Sequence, residues 1–261
     1  MQISTASGKV VRYLTQAPGH GQFFFALSED RDTVWFSDVD VCGAAGIYRV
    51  SYQGGAAVRV DRSANAEALT VSQDGSKLAY RPLGCNDTSP AFAVLDLRTG
   101  KTRRWAYSQR GEVLGATTWS PDGRHLAYIE FFGSGELRTR AWLLDTTGPG
   151  RSLAASRPLP PPDKGCQIRD LAWQPGTGRL AISEACPTGH QLVFVDAPGG
   201  RAVSRPLRVA QPFAGLDFDP SGRHLLYTTG APGTPFSARS TWRWDGTRAV
   251  EIGRGYGMPV W

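Results

Sequence analysis

Along the chain, an apolar run repeatedly enters a polar turn and leaves as a second run with alternating apolar positions, the pattern of a β-hairpin. The clearest copy is Thr117-Thr118-Trp119-Ser120-Pro121-Asp122-Gly123-Arg124-His125-Leu126-Ala127-Tyr128. Copies around Ser72-Gln73-Asp74-Gly75 and Asp219-Pro220-Ser221-Gly222 keep a turn ending in glycine, and degenerate ones stand at Gln174-Pro175-Gly176 and Ser28-Glu29-Asp30. With Ser28, Ser72, Ser120, Gln174 and Asp219 as equivalent anchors, the spacings are 44, 48, 54 and 45 residues. No segment carries a convincing helical period.

Between anchors the order is also shared: a second strand, a polar loop, a third strand, a glycine-containing turn and a fourth strand. In the second repeat these fall at 77–81, 91–97, 98–101 and 102–107, and in the third the fourth strand is expected at 152–155. Repeats of this length and order make one propeller blade each. Residues 3–14 read as the last two strands of a further blade, and 256–261 as an innermost strand with Trp261 where Trp119 and Trp173 fall. The expectation is an all-β, six-bladed β-propeller spanning 1–261 as one domain, with five full four-stranded blades and a composite sixth from both termini. The Trp119-to-Gly123 hairpin resembles that of the TolB-like, WD-like β-propeller repeat family. That resemblance implies a scaffold that binds proteins, sugars or peptides, or accompanies an enzyme, and leaves the ligand open.

Composition changes this picture little. Gly 31 and Pro 18 suit many strands joined by tight turns. The net charge of +6 could point to an acidic partner, but the basic residues are dispersed, with Arg103-Arg104 the one adjacent pair. Nucleic-acid binding wants a concentrated stripe and is not expected. No run approaches the length of a membrane-spanning helix, and residues 2–9 lack the regions of a secretory signal.

In an up-and-down meander the second-to-third-strand loops and the inter-blade loops share one end of the ring. That mouth collects all four cysteines. Four cysteines allow three pairings, and the geometry prefers Cys166 with Cys186 and Cys42 with Cys85 over a zinc site or free buried thiols. No two cysteines have zinc-ligand spacing, and loops are poor places for inert buried thiols. Disulfides imply an oxidising compartment, so the chain is expected to be extracytoplasmic, secreted or anchored, with its leader absent from this sequence. The same mouth gathers His20, Asp38, Asp40, Asp87, Glu130, Asp170, Glu184 and His190 as candidate binding residues. A cluster of carboxylates and imidazoles suits a divalent cation or acid–base chemistry, against the plainer reading that loop mouths are polar.

His125 and His224 recur at one repeat position and read as structural. Trp119, Trp173 and Trp261 read as packing between blades, whereas Trp242 and Trp244, two apart on one strand, are candidates for an exposed partner patch. Nucleophile elbows, zinc-peptidase motifs and phosphate loops are absent. The expectation is a binding or scaffolding module without catalysis or cofactor, contacted at the mouth by a protein or small molecule. The proline-rich stretch 158–162, within the longest spacing, is expected to project there as one wall. The alternative is a metal-assisted hydrolase of the lactonase type, with a divalent cation at the acidic mouth.

Overall fold

The computed structural model describes residues 2–3, 10–12, 23–27, 32–38, 46–61, 66–82, 91–107, 113–133, 138–197, 201–202, 207–209, 211–230 and 238–254. After a short pair, β1 (Gln2–Ile3) and β2 (Val10–Arg12), the chain builds five antiparallel meanders. The first contains β3 (Phe23–Leu27), β4 (Thr33–Asp38), β5 (Gly46–Ser51) and β6 (Val58–Asp61). The second contains β7 (Ala66–Val71), β8 (Lys77–Pro82), β9 (Phe92–Asp96) and β10 (Thr102–Trp105). The third has β11 (Val113–Trp119), β12 (His125–Phe132), β13 (Arg138–Asp145) and β14 (Arg157–Pro158). In the fourth, β15 (Gln167–Trp173), β16 (Arg179–Cys186) and β17 (Gly189–Asp196) are followed by two short pieces, β18 (Arg201–Ala202) and β19 (Leu207–Val209), which both pair with β17 and share the outer-strand position. The fifth is β20 (Phe213–Phe218), β21 (Leu225–Thr229), β22 (Ser240–Trp244) and β23 (Ala249–Arg254).

This corrects the expected six-bladed ring. Among the described residues the structure has five four-stranded blades and no composite sixth. β1 and β2 form a hairpin as read, but among the described residues they pair with each other and stand as a separate two-stranded sheet. Residues 256–261, assigned to the innermost strand of that blade, lie outside the described residues.

The inner hairpin turns of the second to fifth blades are built from their own sequence. The Ser120 hydroxyl accepts the His125 N–H at 2.9 Å and donates to Asp122 at 2.5 Å, and Ser72 does the same for Lys77 and Asp74. In the fifth blade the Asp219 carboxylate accepts the N–H groups of Arg223 and His224 and pairs with the His224 ring. Gly75, Gly123 and Gly222 close these turns with φ of +66°, +61° and +68°, which a side chain would resist. In the fourth blade Gly176 takes positive φ one position earlier, directly after Pro175, the order a type II turn requires.

Strand alternation then builds the interfaces. On β8, Leu78 and Tyr80 join a cluster with the first blade's Trp35 and Ile47, while Ala79 between them faces the third blade's Trp119 and Leu126. Ala127 likewise shares its cluster with Trp173, and Ala181 with Phe218. A small residue on the second strand thus stands beside the aromatic that ends the next blade's inner strand. The tryptophans Trp119 and Trp173 are buried between blades, as their repeat position suggests.

Inner strands of successive blades pack in the series β3, β7, β11, β15, β20. Four of these five ladders are interrupted at matching places, between Glu67 and Thr70, Leu114 and Thr117, Ile168 and Asp170, and Phe213 and Gly215, whereas β3 pairs with β4 without a shift. A bulge leaves backbone groups unpaired, and neighbouring blades satisfy them: Thr117 Oγ1 donates to Ala68 O at 3.3 Å, Ile168 N–H to Thr139 Oγ1 at 2.6 Å, and Leu216 N–H to Asp170 Oδ2 at 2.9 Å.

One strand was misplaced by sequence. Residues 152–155 are not the third blade's outer strand; Leu153–Ala155 is a 3-10 turn capped by Ser152, and its segment hydrogen-bonds to Ala106 of the second blade. Arg157–Pro158 takes the outer position, where proline's missing N–H is tolerated. Ser120→Ala should lower stability by about 1 kcal/mol through the unpaired His125 N–H, whereas Ser221→Ala, at an exposed turn position, should leave it unchanged; equal urea midpoints for the two variants would refute the capping role.

Candidate functional site

At the mouth of the fourth blade the β15–β16 ladder ends in a covalent rung. Gln167 pairs with Ala185, so Cys166 and Cys186 fall opposite each other, and their sulfurs are bonded at 2.03 Å. The short turn Pro187-Thr188 follows, and Gly165 at φ +80° lies against it, where a Cβ would meet Pro187 Cγ at 3.3 Å. This is one of the two expected disulfides. Cys42 and Cys85 lie outside the described residues.

Directly below sits Glu184, 4% exposed. Its carboxylate accepts from Gln191 Nε2 at 2.8 Å, and the same amide donates to Asp163 Oδ2 at 2.9 Å. Burial raises the Glu184 pKa, with the charge of Asp163 acting in the same direction against the Gln191 hydrogen bond. The Glu184 carboxylate and the two cysteine sulfurs converge within 4.8 Å. That donor set does not suit a divalent cation as it stands, since disulfide sulfurs carry no charge and one carboxylate remains. His190, on the neighbouring register position, is half-buried with Nδ1 lacking a partner; burial, then the nearby Arg169 charge, lowers its pKa.

Glu130 and Asp170 do not join this cluster. Glu130 of the third blade is buried and accepts the indole N–H of Trp142 at 2.6 Å. Thr229 in the fifth blade accepts the Trp242 N–H at 3.0 Å in the same way. Both residues stand ten past their anchors, as do Asp38 and Glu184. The position is a repeated acceptor for a third-strand donor, so Glu130 and Glu184 serve the blade first. Asp38 ends β4 opposite Phe23 and Gly46, its side chain outside the described residues; His20, Asp40 and Asp87 also lie outside them.

Asp170 is buried between the inner strands of blades four and five. Its two oxygens accept the N–H groups of Leu171 and Leu216 at 2.8 and 2.9 Å. Burial pushes its pKa up from 3.8 to about 7, against the pull of those two donors. It is a staple between blades and does not face a ligand.

Two further expectations change. The proline stretch does not project as a whole: Pro158 pairs with Trp142, Leu159 is buried and donates its N–H to Ala141 O, and Pro161 is exposed. Nor do Trp242 and Trp244 form an exposed patch. Trp242 stacks on Tyr227 at 6.3 Å and Trp244 lies against Phe194 at 5.3 Å, both half-buried. Sequence reasoning missed Gln191 and Asp163, whose signal would have been an amide facing the position ten past an anchor.

Asp170→Ala leaves two buried N–H groups without acceptors and should cost roughly 2–5 kcal/mol. Because the folded state holds the Asp170 proton more tightly than the unfolded chain, its contribution is complete below pH 3.8 and declines as pH rises toward about 7. Urea midpoints of Asp170→Asn should therefore fall less steeply than wild type across that window, and parallel profiles would count against it. Cys166 and Cys186 should resist alkylation until reductant is added, by intact mass. Opening a loop with a sequence separation of 20 should then lower stability by about 3 kcal/mol in the chain-entropy view.

No protein-family model matches the sequence, and no curated protein does. Solved structures do match in fold. TolB from Acinetobacter baumannii is 14% identical with a TM-score of 0.65 over 90% of this chain, which spans 55% of that protein's length. An oligogalacturonate lyase in complex with manganese is 14% identical, TM-score 0.58, over 87% of this chain and 63% of that one. A nidogen/laminin complex gives 14%, 0.60, 89% and 82%. At such identities the likeness concerns architecture, and with the five blades and repeated hairpin it establishes that this chain has a TolB-like β-propeller fold.

Proposed function

We propose that the chain is an extracytoplasmic binding scaffold whose cysteine-bearing mouth contacts a protein or small-molecule partner. The observation that carries this reading is the commitment of the mouth's buried carboxylates. Glu130 and Glu184 accept hydrogen bonds from donors of their own blades, and Asp170 from its own and the next blade, so they hold the ring in shape instead of waiting for substrate. The exposed residues there, among them Asp163, Lys164 and Arg169, ride on that rigid frame. The disulfide supports an oxidising compartment.

A structural neighbour caught in a nidogen/laminin complex supports protein binding as a use of this architecture. The manganese-bound lyase keeps the metal-assisted hydrolase as the rival. Metal hydrolysis needs several free ligands and an open position, and the donor atoms that converge among the described residues are the Glu184 carboxylate and two bonded sulfurs. Affinity capture with the wild type and with the double variant Lys164→Glu, Arg169→Glu separates the readings. Loss of a partner recovered by wild type supports the scaffold, and equal recovery removes this mouth as the contact surface. Calorimetric titration with calcium, manganese and a panel of lactones should show no metal-dependent turnover; turnover abolished by chelation would favour the hydrolase.

A further inference from the structure

At the hairpin end, opposite the disulfide, a cleft of about 660 Å³ opens between the fourth and fifth blades, with Arg179, Phe194, Phe218, Arg223, Trp244 and Asp245 in its lining. Two departures from the repeat build it. Five residues past the second anchor, Lys77 donates its ammonium to Gly123 O in the next blade's turn and lies over the Trp119 ring. In the fourth blade the matching carbonyl, Gly222 O, is taken by Gln174 Nε2 at 2.8 Å. Arg179, which occupies the Lys77 position, is thereby released and stands exposed.

The second departure lies on β22. The residue before the turn aspartate is Leu95, Leu144 or Val195 in blades two to four, all buried. In the fifth it is Trp244, half-buried, its ring 5.3 Å from Phe194 at 30°. Phe194 and Phe218, with centroids 6.5 Å apart, complete an aromatic lining. The guanidinium groups of Arg179 and Arg223 have no carboxylate partner among the described residues. Asp245, the carboxylate of the lining, already accepts the N–H groups of Arg248 and Thr247 and the Thr247 hydroxyl.

An aromatic lining of half-buried Trp244 against the buried Phe194 and Phe218, with two guanidinium groups that have no carboxylate partner among the described residues, fits a ligand that carries a ring and an anion close together. We propose that this cleft binds an aromatic carboxylate, with the ring on Trp244 and Phe194 and the carboxylate between Arg179 and Arg223. A peptide ending in phenylalanine and a small aromatic acid share that chemistry, and the volume suits either. The site is separate from the mouth, so each can fail without the other.

The test is calorimetric titration of the full chain with N-acetyl-phenylalanine, an octapeptide ending in phenylalanine, and the C-terminal amides of both. Both acids or one of them should bind, and tighter binding of the octapeptide marks a peptide ligand. Arg179→Ala and Arg223→Ala, at exposed positions, should each weaken binding about tenfold, the worth of one charge-assisted hydrogen bond. Trp244→Leu, which restores the residue type of other blades, should weaken it about fivefold while leaving the melting temperature near wild type. No binding of either acid, amides that bind as well as acids, or full affinity in both arginine variants would overturn the proposal.

Discussion

The structure depends on how the inner strands cope with their bulges. Each inner strand is the edge of its own blade's sheet and is paired along one side only. The recurrent register shift frees a carbonyl or an N–H at a buried place, where an unmet group costs about 1–3 kcal/mol. The neighbouring blade meets it, through Thr117, Thr139 or Asp170. The obligation to satisfy these groups ties each blade to the next in one register, while the alternation of large side chains and alanine fills the interface between them.

Repetition also separates structural chemistry from available chemistry. Aspartates cap turns along the repeat: Asp96, Asp145 and Asp245 before outer turns, Asp74, Asp122 and Asp219 at inner ones, all held below the ordinary carboxylate range by donors of their own turns. Their contribution is present at neutral pH and lost in acid, as pH falls through those depressed values. Asp170 works in the opposite direction, since burial outweighs its donors. A carboxylate that recurs at a blade-equivalent position is part of the frame, and residues that break the repeat are the ones left over for ligands.

How far the sequence reveals this follows from the range of each interaction. Hairpins such as Ser120 to His125 are legible because serine, aspartate and glycine act within five residues, and three of the five blades keep that chemistry in recognisable form. The residues 152–155 were misread because Gly148-Pro149-Gly150 marks the turn correctly, while the choice between a strand and a 3-10 turn is made by the Ser152 cap and by contact with Ala106 of another blade. The terminal blade failed for a related reason: β1 and β2 form by local pairing, but nothing local specifies a partner some 250 positions away. At the mouth, Cys166 and Cys186 were legible through the meander's alternating ends. The roles of Glu130 and Asp170 were not, since their donors come from across the sheet or from the next blade.

The two ends of the propeller consequently differ in what they can offer. At the mouth of the fourth blade, side chains are drawn inward: a disulfide closes the ladder, and an amide bridges the buried Glu184 to Asp163. Tightening of this kind fixes the backbone and leaves recognition to exposed residues around it. At the hairpin end the caps are satisfied within each turn, so a single exchange, Gln174 for a lysine-type staple, is enough to set a cation free without unpairing the frame. New binding chemistry therefore arises most cheaply where the turn is locally self-sufficient, and that is the end where Trp244 replaces a buried aliphatic residue.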